Sequence, residues 1–491
     1  MKFLKKLFLI ALLSLSVAHP AYAEIINLNL LQINDIYEIT PVSGGKTGGL
    51  ARLATLRQQL LSENPHTYTI LAGDVLSPSA LGTAKINGEA LAGEQIVDVM
   101  NAVGLDYATF GNHEFDLKKE QLFKRLAESN FTWFSSNVLD ENDQFLQNVS
   151  QSLIFEVTGK EGNTIKIGLI GVTIPSNPVD YINYLDPIET MRSEVDKIKD
   201  QTDIIIAVTH LALAQDQYLA EHIPEIDLIL GGHEHENIQQ WRGSDFTPIF
   251  KADANARTAY IHQLSYDTDT EKLDINSHLQ PITDQIPEDT QVATLVNEWL
   301  EKGFNAFRSN GFEPEEVVTT ISESLDGLEV SVRNHNTSLT DAIAQGMLEA
   351  TEGAEIAIFN SGSVRIDDVL PPGIITQYDV IRIMPFGGQV LLVEMKGSLL
   401  EKILNQSLAN KGTGGFLQTS NISLNLQTNQ WLIKNQPLNL EENYQVAIND
   451  FLLTGKEIGL DYLTLEHPEV QLISQGEDIR FTFINYLQDQ I

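Results

Sequence analysis

The chain has 491 residues, with 67 acidic against 31 basic side chains, a formal net charge of -36 and no cysteine. At 42% hydrophobic residues it can form two or more cored domains, while the charge argues against a nucleic-acid polymer as partner, because phosphate neutralisation needs a basic face. The absence of cysteine excludes disulfides and thiolate ligands, so a bound metal must be held by His, Asp, Asn or backbone oxygens, a set suited to borderline or hard divalent ions.

In chain order, Lys2, Lys5 and Lys6 precede an apolar run from Leu7 to Ala18 and the triplet Ala21-Tyr22-Ala23. This pattern predicts a cleaved secretory signal over 1–23 and an exported protein, periplasmic or extracellular. The run is too short to span a bilayer comfortably, so no stable membrane anchor is expected. From 24 to 285 the pattern is α/β. Strands are expected at 26–33, 67–72, 105–110, 131–134, 164–173, 203–209, 226–230 and 247–251. Helical patterns lie between them: 47–64 sets Leu50, Leu53, Leu56, Leu60 and Leu61 on one stripe, 93–104 repeats Ile96, Val97, Met100 and Val103, and 186–203 is amphipathic. Such alternation predicts layered sheets with helices outside. An acidic, Pro-containing turn and a long helical stretch make 286–320 a connector. A second unit, 321–491, brings strands at 355–359, 389–395, 421–425 and 444–448.

Five apolar runs end in ligand chemistry. Asp35 ends the first, and Asp74 follows Gly73. Asn112 and His113 leave a Gly turn in GNHEFD (111–116), His210 ends another run, and His233 and His235 follow Gly231-Gly232. Open α/β sheets build sites at the carboxyl ends of their strands. Taken singly, each residue also has a plain role as a cap, a turn or a surface side chain. Together they predict a site for two divalent metal ions with N and O ligands, Asp74 being able to bridge, of the type that clamps a phosphoryl group and activates water.

GD, GNHE, TH and GGHxH in this order resemble the calcineurin-like metallophosphoesterases, and with the signal and the C-terminal unit the mature chain resembles the secreted 5′-nucleotidase family. The resemblance implies a four-layer helix-sheet-sheet-helix metallophosphoesterase domain followed by a smaller α+β substrate-binding domain. It implies one metal on Asp35, Asp74 and His235, and another on Asp74, Asn112, His210 and His233. It makes His113 and Asp116 the catalytic pair, His113 acting at the leaving-group oxygen and Asp116 orienting its ring. The chain departs from the family where Asp-x-His is usual and Asp35-Ile36-Tyr37 stands instead. Tyr37 is read either as a phenolate ligand or as a residue that packs and hydrogen-bonds beside the site.

In the second unit, AIFNSGSVR (357–365), IMPFGGQV (383–390), GTGGFLQTS (412–420) and YQVAINDFLLTGKE (444–457) resemble the family's C-terminal motifs. The resemblance implies that Phe386 and Phe451 sandwich a base and that Asn360, Gly362 and Arg365 contact the nucleoside or its phosphates. Aromatic faces accept several bases, and a guanidinium offers a planar fork to phosphate. Phe416 reads as core. Arg333 matches a second family arginine in surroundings that fit poorly, and Glu457 stands near the place of a ribose-binding Asp.

These readings lead to an exported phosphoester hydrolase that uses two divalent ions (Zn, Mn or Co) and removes phosphate from small-molecule nucleotides, 5′-nucleotidase fashion. Other substrates stay open: 2′,3′-cyclic phosphodiesters with 3′-nucleotides, or nucleotide sugars. A metal- or nucleotide-binding module with little turnover is the reading from outside the enzymes.

Overall fold

The computed structural model describes residues 24–490, and the expected leader, 1–23, lies outside the described residues. The first unit stacks two six-stranded sheets. One runs in the order Lys272–Pro281, Thr258–Asp267, Ile25–Ile33, Thr67–Ala72, Tyr107–Thr109, Thr132–Trp133. The other runs Ser152–Thr158, Thr164–Thr173, Ile204–His210, Leu228–Gly231, Thr247–Lys251, Ile238–Arg242. The inner strands of both are parallel, and the outermost pairs at one edge of the first sheet and both edges of the second are antiparallel.

The apolar strands alternate between two cores, as a period of two requires. Leu28, Leu30 and Ile70 face Ile167, Leu169, Ile204 and Ile206 between the sheets. Leu31, Ile33 and Leu71 turn outward to helices Leu50–Glu63, Glu94–Val103 and Lys119–Glu128. Ile205, Ala207 and Ile229 turn outward to helices Pro187–Ile198 and Leu213–His222. The result is the helix-sheet-sheet-helix order that the resemblance implies. Helix starts carry local signals: Asp186 accepts from the backbone N–H groups of Ile188 and Glu189 ahead of Pro187 at the first turn.

Helix Thr290–Arg308, capped by Asp289, packs on Glu94–Val103, where Trp299 Nε1 donates to Asp98 at 2.9 Å. The second unit is a five-stranded sheet in the order Leu417–Ser420, Ile356–Asn360, Asn443–Asn449, Gln389–Lys396, Val470–Asp478. Helix Gly397–Ala409 covers one face with Leu399, Leu400 and Ile403. Helices Ser338–Ala350 and Ile479–Asp489 cover the other. No helix among the described residues is long and apolar enough to cross a membrane.

Candidate metal centre

Because the inner strands of both sheets are parallel, their carboxyl ends meet at one edge of the sandwich, and the turns leaving them carry the polar residues. Asp35 and Asp74 sit at φ 53° and 59°, where a short side chain that can bond locally tolerates the left-handed region. Two glycines let the turns close. A Cβ on Gly73 would lie 2.5 Å from His210 Nδ1, and one on Gly111 would strike Asp74 Oδ1. In the second sheet Gly231 pairs with Thr209 and with Lys251, which brings the 232–235 turn beside His210.

Ligand atoms of Asp35, Asp74 and His210 lie within 4.8 Å of one another, and all three residues are buried. His210 Nδ1 takes the Ala72 carbonyl at 2.8 Å, so Nε2 points inward, 3.2 Å from Asp74 Oδ2 and 3.9 Å from Asp35 Oδ1. Burial works against a charge on His210, but Asp74 and Asp35 outweigh it and hold the imidazole up at about 9. The His233 ring lies 5.3 Å from that of His210. Burial and the neighbouring His210 push His233 down to about 3, so the neutral ring keeps a free lone pair on one nitrogen. Asn112 Oδ1 is buried without a hydrogen-bond partner. Unpaired buried polar atoms are costly. An unpaired amide oxygen next in the chain to His113, whose N–H reaches Asp74 Oδ1 at 2.8 Å, suits a divalent cation held with Asp74, His210 and His233.

The other half of the centre is arranged differently. The Tyr37 hydroxyl lies 3.2 Å from Asp35 Oδ1, 3.0 Å from Asp74 Oδ2 and 3.0 Å from His235 Nε2. Burial, Asp74 and Asp35 together push the phenol well above its ordinary value, so the hydroxyl keeps its proton. His235 Nε2 is 3.2 Å from Asp35 Oδ1, and its Nδ1 is 2.6 Å from Asp367 Oδ2 of the second unit. Burial opposes a charge there too, but Asp35 and Asp367 flank the ring and hold it up at about 10.

His113 and Asp116 form a pair, Nδ1 to Oδ2 at 2.6 Å. Asn177 Nδ2 donates to Asp116 Oδ1 at 2.9 Å. Asp116 opens onto a cleft of about 570 Å³ between the two units, whose far wall includes Phe386 and Arg480.

In the second unit, Phe386 and Phe451 are 54% and 40% exposed, unusual for such rings and suited to stacking on a ligand. Their loops touch: a Cβ on Gly388 would lie 2.6 Å from Asp450 Oδ1. The Arg365 guanidinium lies 5.7 Å from the Phe386 ring centroid. Arg333 is paired with Glu329, and Arg365 approaches the same carboxylate at 3.9 Å. Asn360 is buried. It donates to Glu457 at 3.1 Å and accepts from Ser363 at 2.7 Å and Asn449 at 2.9 Å. Gly362 packs on Gly414, where a Cβ would sit 3.2 Å from its backbone. Phe416 is buried, in keeping with a core role.

Four residues gain a role that no motif supplied. The Glu114 carboxylate accepts backbone N–H bonds from Asp74 (3.0 Å), Val75 (2.6 Å), Leu76 (3.1 Å) and Gly111 (2.6 Å), tying two ligand turns together. Lys251, fully buried, donates to the carbonyls of Leu211 (2.6 Å) and Gly232 (2.8 Å) and pairs with Asp216 at 2.8 Å and with Glu234. Asn177 and Asp367 are the others. Lys251 left one signal, a lysine closing the apolar strand TPIFK. The partners of Asn177 and Asp367 are distant in sequence and left none.

Residues 28–237 match the family model for calcineurin-like phosphoesterases, and 317–463 match that for the 5′-nucleotidase C-terminal domain. The chain is 27% identical over 517 residues to the 5′-nucleotidase of Bos taurus, covering 92% of this chain and 87% of that one. It is 28% identical over 434 residues to the 5′-nucleotidase of Vibrio cholerae, covering 75% and 74%. Among solved structures, a 5′-nucleotidase precursor from Thermus thermophilus superposes with a TM-score of 0.75 at 23% identity, covering 95% of this chain and 97% of that one. That likeness speaks to the fold.

Proposed function

The chain belongs to the family that joins a calcineurin-like phosphoesterase domain to a 5′-nucleotidase C-terminal domain, and we propose that it removes the 5′-phosphate of nucleotides. It is a metal-dependent hydrolase of small nucleotide phosphoesters. The observation that carries the reading is the buried cluster of Asp35, Asp74 and His210 ligand atoms within 4.8 Å of one another, together with the unpartnered Asn112 Oδ1 and the His113–Asp116 pair.

A divalent ion bound there would supply Lewis-acid polarisation of a phosphoryl oxygen and a lowered pKa for water. Asp74, Asn112, His210 and His233 would hold it, and Zn, Mn and Co all suit that donor set. Asp116 occupies His113 Nδ1 and Asn177 steadies Asp116, so the proton His113 can give the leaving group is the one at Nε2. Phe386 and Phe451 stack on the base across the cleft, Arg365 and Arg333 meet its phosphate or sugar, and Glu457 acts through Asn360. In this reading 24–285 is the catalytic domain, 286–320 the connector and 321–491 the substrate domain. The leader at 1–23 sends the protein out of the cytoplasm.

The test is phosphate release by metal-stripped protein supplied with Mn, Co or Zn. AMP, a 2′,3′-cyclic nucleotide and a nucleotide sugar are offered in parallel. Turnover of AMP that depends on added metal and falls at least about 10³-fold in Asp74→Ala is expected. Metal-independent turnover, or full activity in Asp74→Ala, would remove the assignment. Preference for the cyclic nucleotide or the sugar nucleotide would redirect the substrate and keep the chemistry.

A further inference from the structure

Phe386 stands on a turn between helix Gln377–Ile383 and strand Gln389–Lys396, and two glycines follow it, Gly387 at φ 62° and Gly388 at φ 116°. Glycines at positive φ leave a backbone free to take many paths. What fixes the ring must therefore be what lies against the turn.

Two charged side chains close on the glycines. Asp450, the residue before Phe451, approaches Gly388, where a Cβ would lie 2.6 Å from Oδ1. Arg480 approaches Gly387, where a Cβ would lie 2.5 Å from Nη2 and 2.6 Å from Cζ, so the guanidinium rests directly on the backbone. Arg480 Nη1 donates to the Pro385 carbonyl at 3.4 Å, and the Ile479 N–H donates to the Gly388 carbonyl at 2.8 Å.

Arg480 is itself braced. Its Nε and Nη2 donate to the two carboxylate oxygens of Asp478 at 2.9 and 2.6 Å. Its Cζ lies 4.6 Å from the centroid of Phe312, a buried ring of the connector that stacks on Phe481 at 4.3 Å and 11°. Asp478 already meets the charge. Arg480 therefore offers the cleft it lines a fixed plane and no free cation.

We propose that Arg480 is a positioning residue for base recognition. Held by Asp478 and Phe312, its guanidinium fixes the Phe386 turn and so sets where the Phe386 ring stands relative to Phe451. The inference rests on the reading of these two rings as the faces that take the base, and adds what sets their spacing.

The experiment is steady-state kinetics of the full-length mature protein with Mn²⁺, on AMP and on ribose 5-phosphate, which keeps the ester and lacks the base. In Arg480→Met the preference for AMP, as a ratio of kcat/KM values, should fall about 10-fold, the order of one lost stacking contact, and chiefly through the KM for AMP. Arg480→Lys keeps the charge without the planar fork and should fall as far. Asp478→Asn keeps an oxygen for the Arg480 N–H at the start of helix Ile479–Asp489 and loosens only the pair. It should shift the preference the same way, so a misfolded Arg480 variant would not end the test. Phe386→Ala is the reference, and adding Arg480→Met to it should change the preference little further.

An unchanged preference in the folded Arg480 and Asp478 variants, full recovery in Arg480→Lys, or an equal fall for both substrates would each overturn the inference and leave the hydrolase standing. A wild type with no preference for AMP, or a Phe386→Ala protein that keeps it, would remove the stacking reading and the inference with it.

Discussion

Two fully buried histidines, His210 and His262, show how surroundings decide what an imidazole does. His210 faces Asp74 and Asp35 and is held up at about 9 despite its burial. His262 lies in the core between the sheets, with Ser277 at 2.7 Å on Nδ1 and Gln32 at 3.0 Å on Nε2, and burial, with a smaller push from His278, brings it down to about 3. The unfolded chain binds that proton near pH 6.5 and the folded chain only near 3, so in between the unfolded state holds more protons and stability falls as pH falls. His262 should therefore contribute fully above pH 6.5 and lose about 2 kcal/mol between pH 7 and 5. Denaturant melts of wild type and His262→Gln at the two pH values check this, and the variant should lack that part of the loss. Tyr37 is the complementary case, a phenol among carboxylates that burial, Asp74 and Asp35 push well above its ordinary value.

At the scale of elements, the centre depends on turns held by residues that touch no substrate. Glu114 gathers four backbone N–H groups from the turns bearing Asp74 and Asn112. Glu114→Gln replaces one oxygen by an NH₂ group, leaving buried N–H groups unpaired, each costing about 1–3 kcal/mol. We expect a loss of about 2–4 kcal/mol in thermal or denaturant melts, together with weaker metal binding because the Asp74 turn loosens. Unchanged stability would show that water replaces the carboxylate. Lys251 does the same for the second sheet, joining the turn after His210 to the one before His233. The edge strands Ser152–Thr158, Ile238–Arg242 and Lys272–Pro281, and Thr258–Asp267 next to the last of them, are absent from the strands expected from sequence. In Lys272–Pro281 the reason is visible: the side chains alternate between exposed and half-buried, so no continuous apolar run marks the strand.

For the whole molecule, the relation between the two units matters most. The outer helices of the first sheet and the inner helices of the second unit belong to one apolar cluster, in which Leu31 and Phe359 both take part. Polar ties add to it near the centre. Asp368 Oδ2 accepts from the Ser43 N–H at 3.0 Å, Arg257 approaches Asp368 at 3.7 Å, and Glu38 and Arg382, both buried, approach at 3.6 Å. If substrate enters by rotation about 286–320, locking these contacts must slow turnover. The protein contains no cysteine, so a pair introduced as Ser43→Cys and Asp368→Cys would be the sole thiols. Oxidation should lower turnover at least about 10-fold and reduction should restore it. Full activity in the crosslinked form would show that no such opening is needed.

Local chemistry written in consecutive residues was legible without coordinates. The apolar runs, the Gly-Asp and Gly-Asn turns at their ends, and the histidines after Gly231-Gly232 all announced a metal-bearing α/β sandwich, because strand periodicity and turn residues act over a few positions. Asp116, three residues from His113, belongs to that local part. Long-range pairings had no such mark. That Asp367 reaches His235 across 132 positions, that Lys251 is buried beneath two turns, and that the Tyr37 hydroxyl comes within 3.0 Å of both Asp74 and His235 follow from how the sheets and units dock. Such partners are chosen by packing geometry in space, and spacing along the chain carries no trace of it.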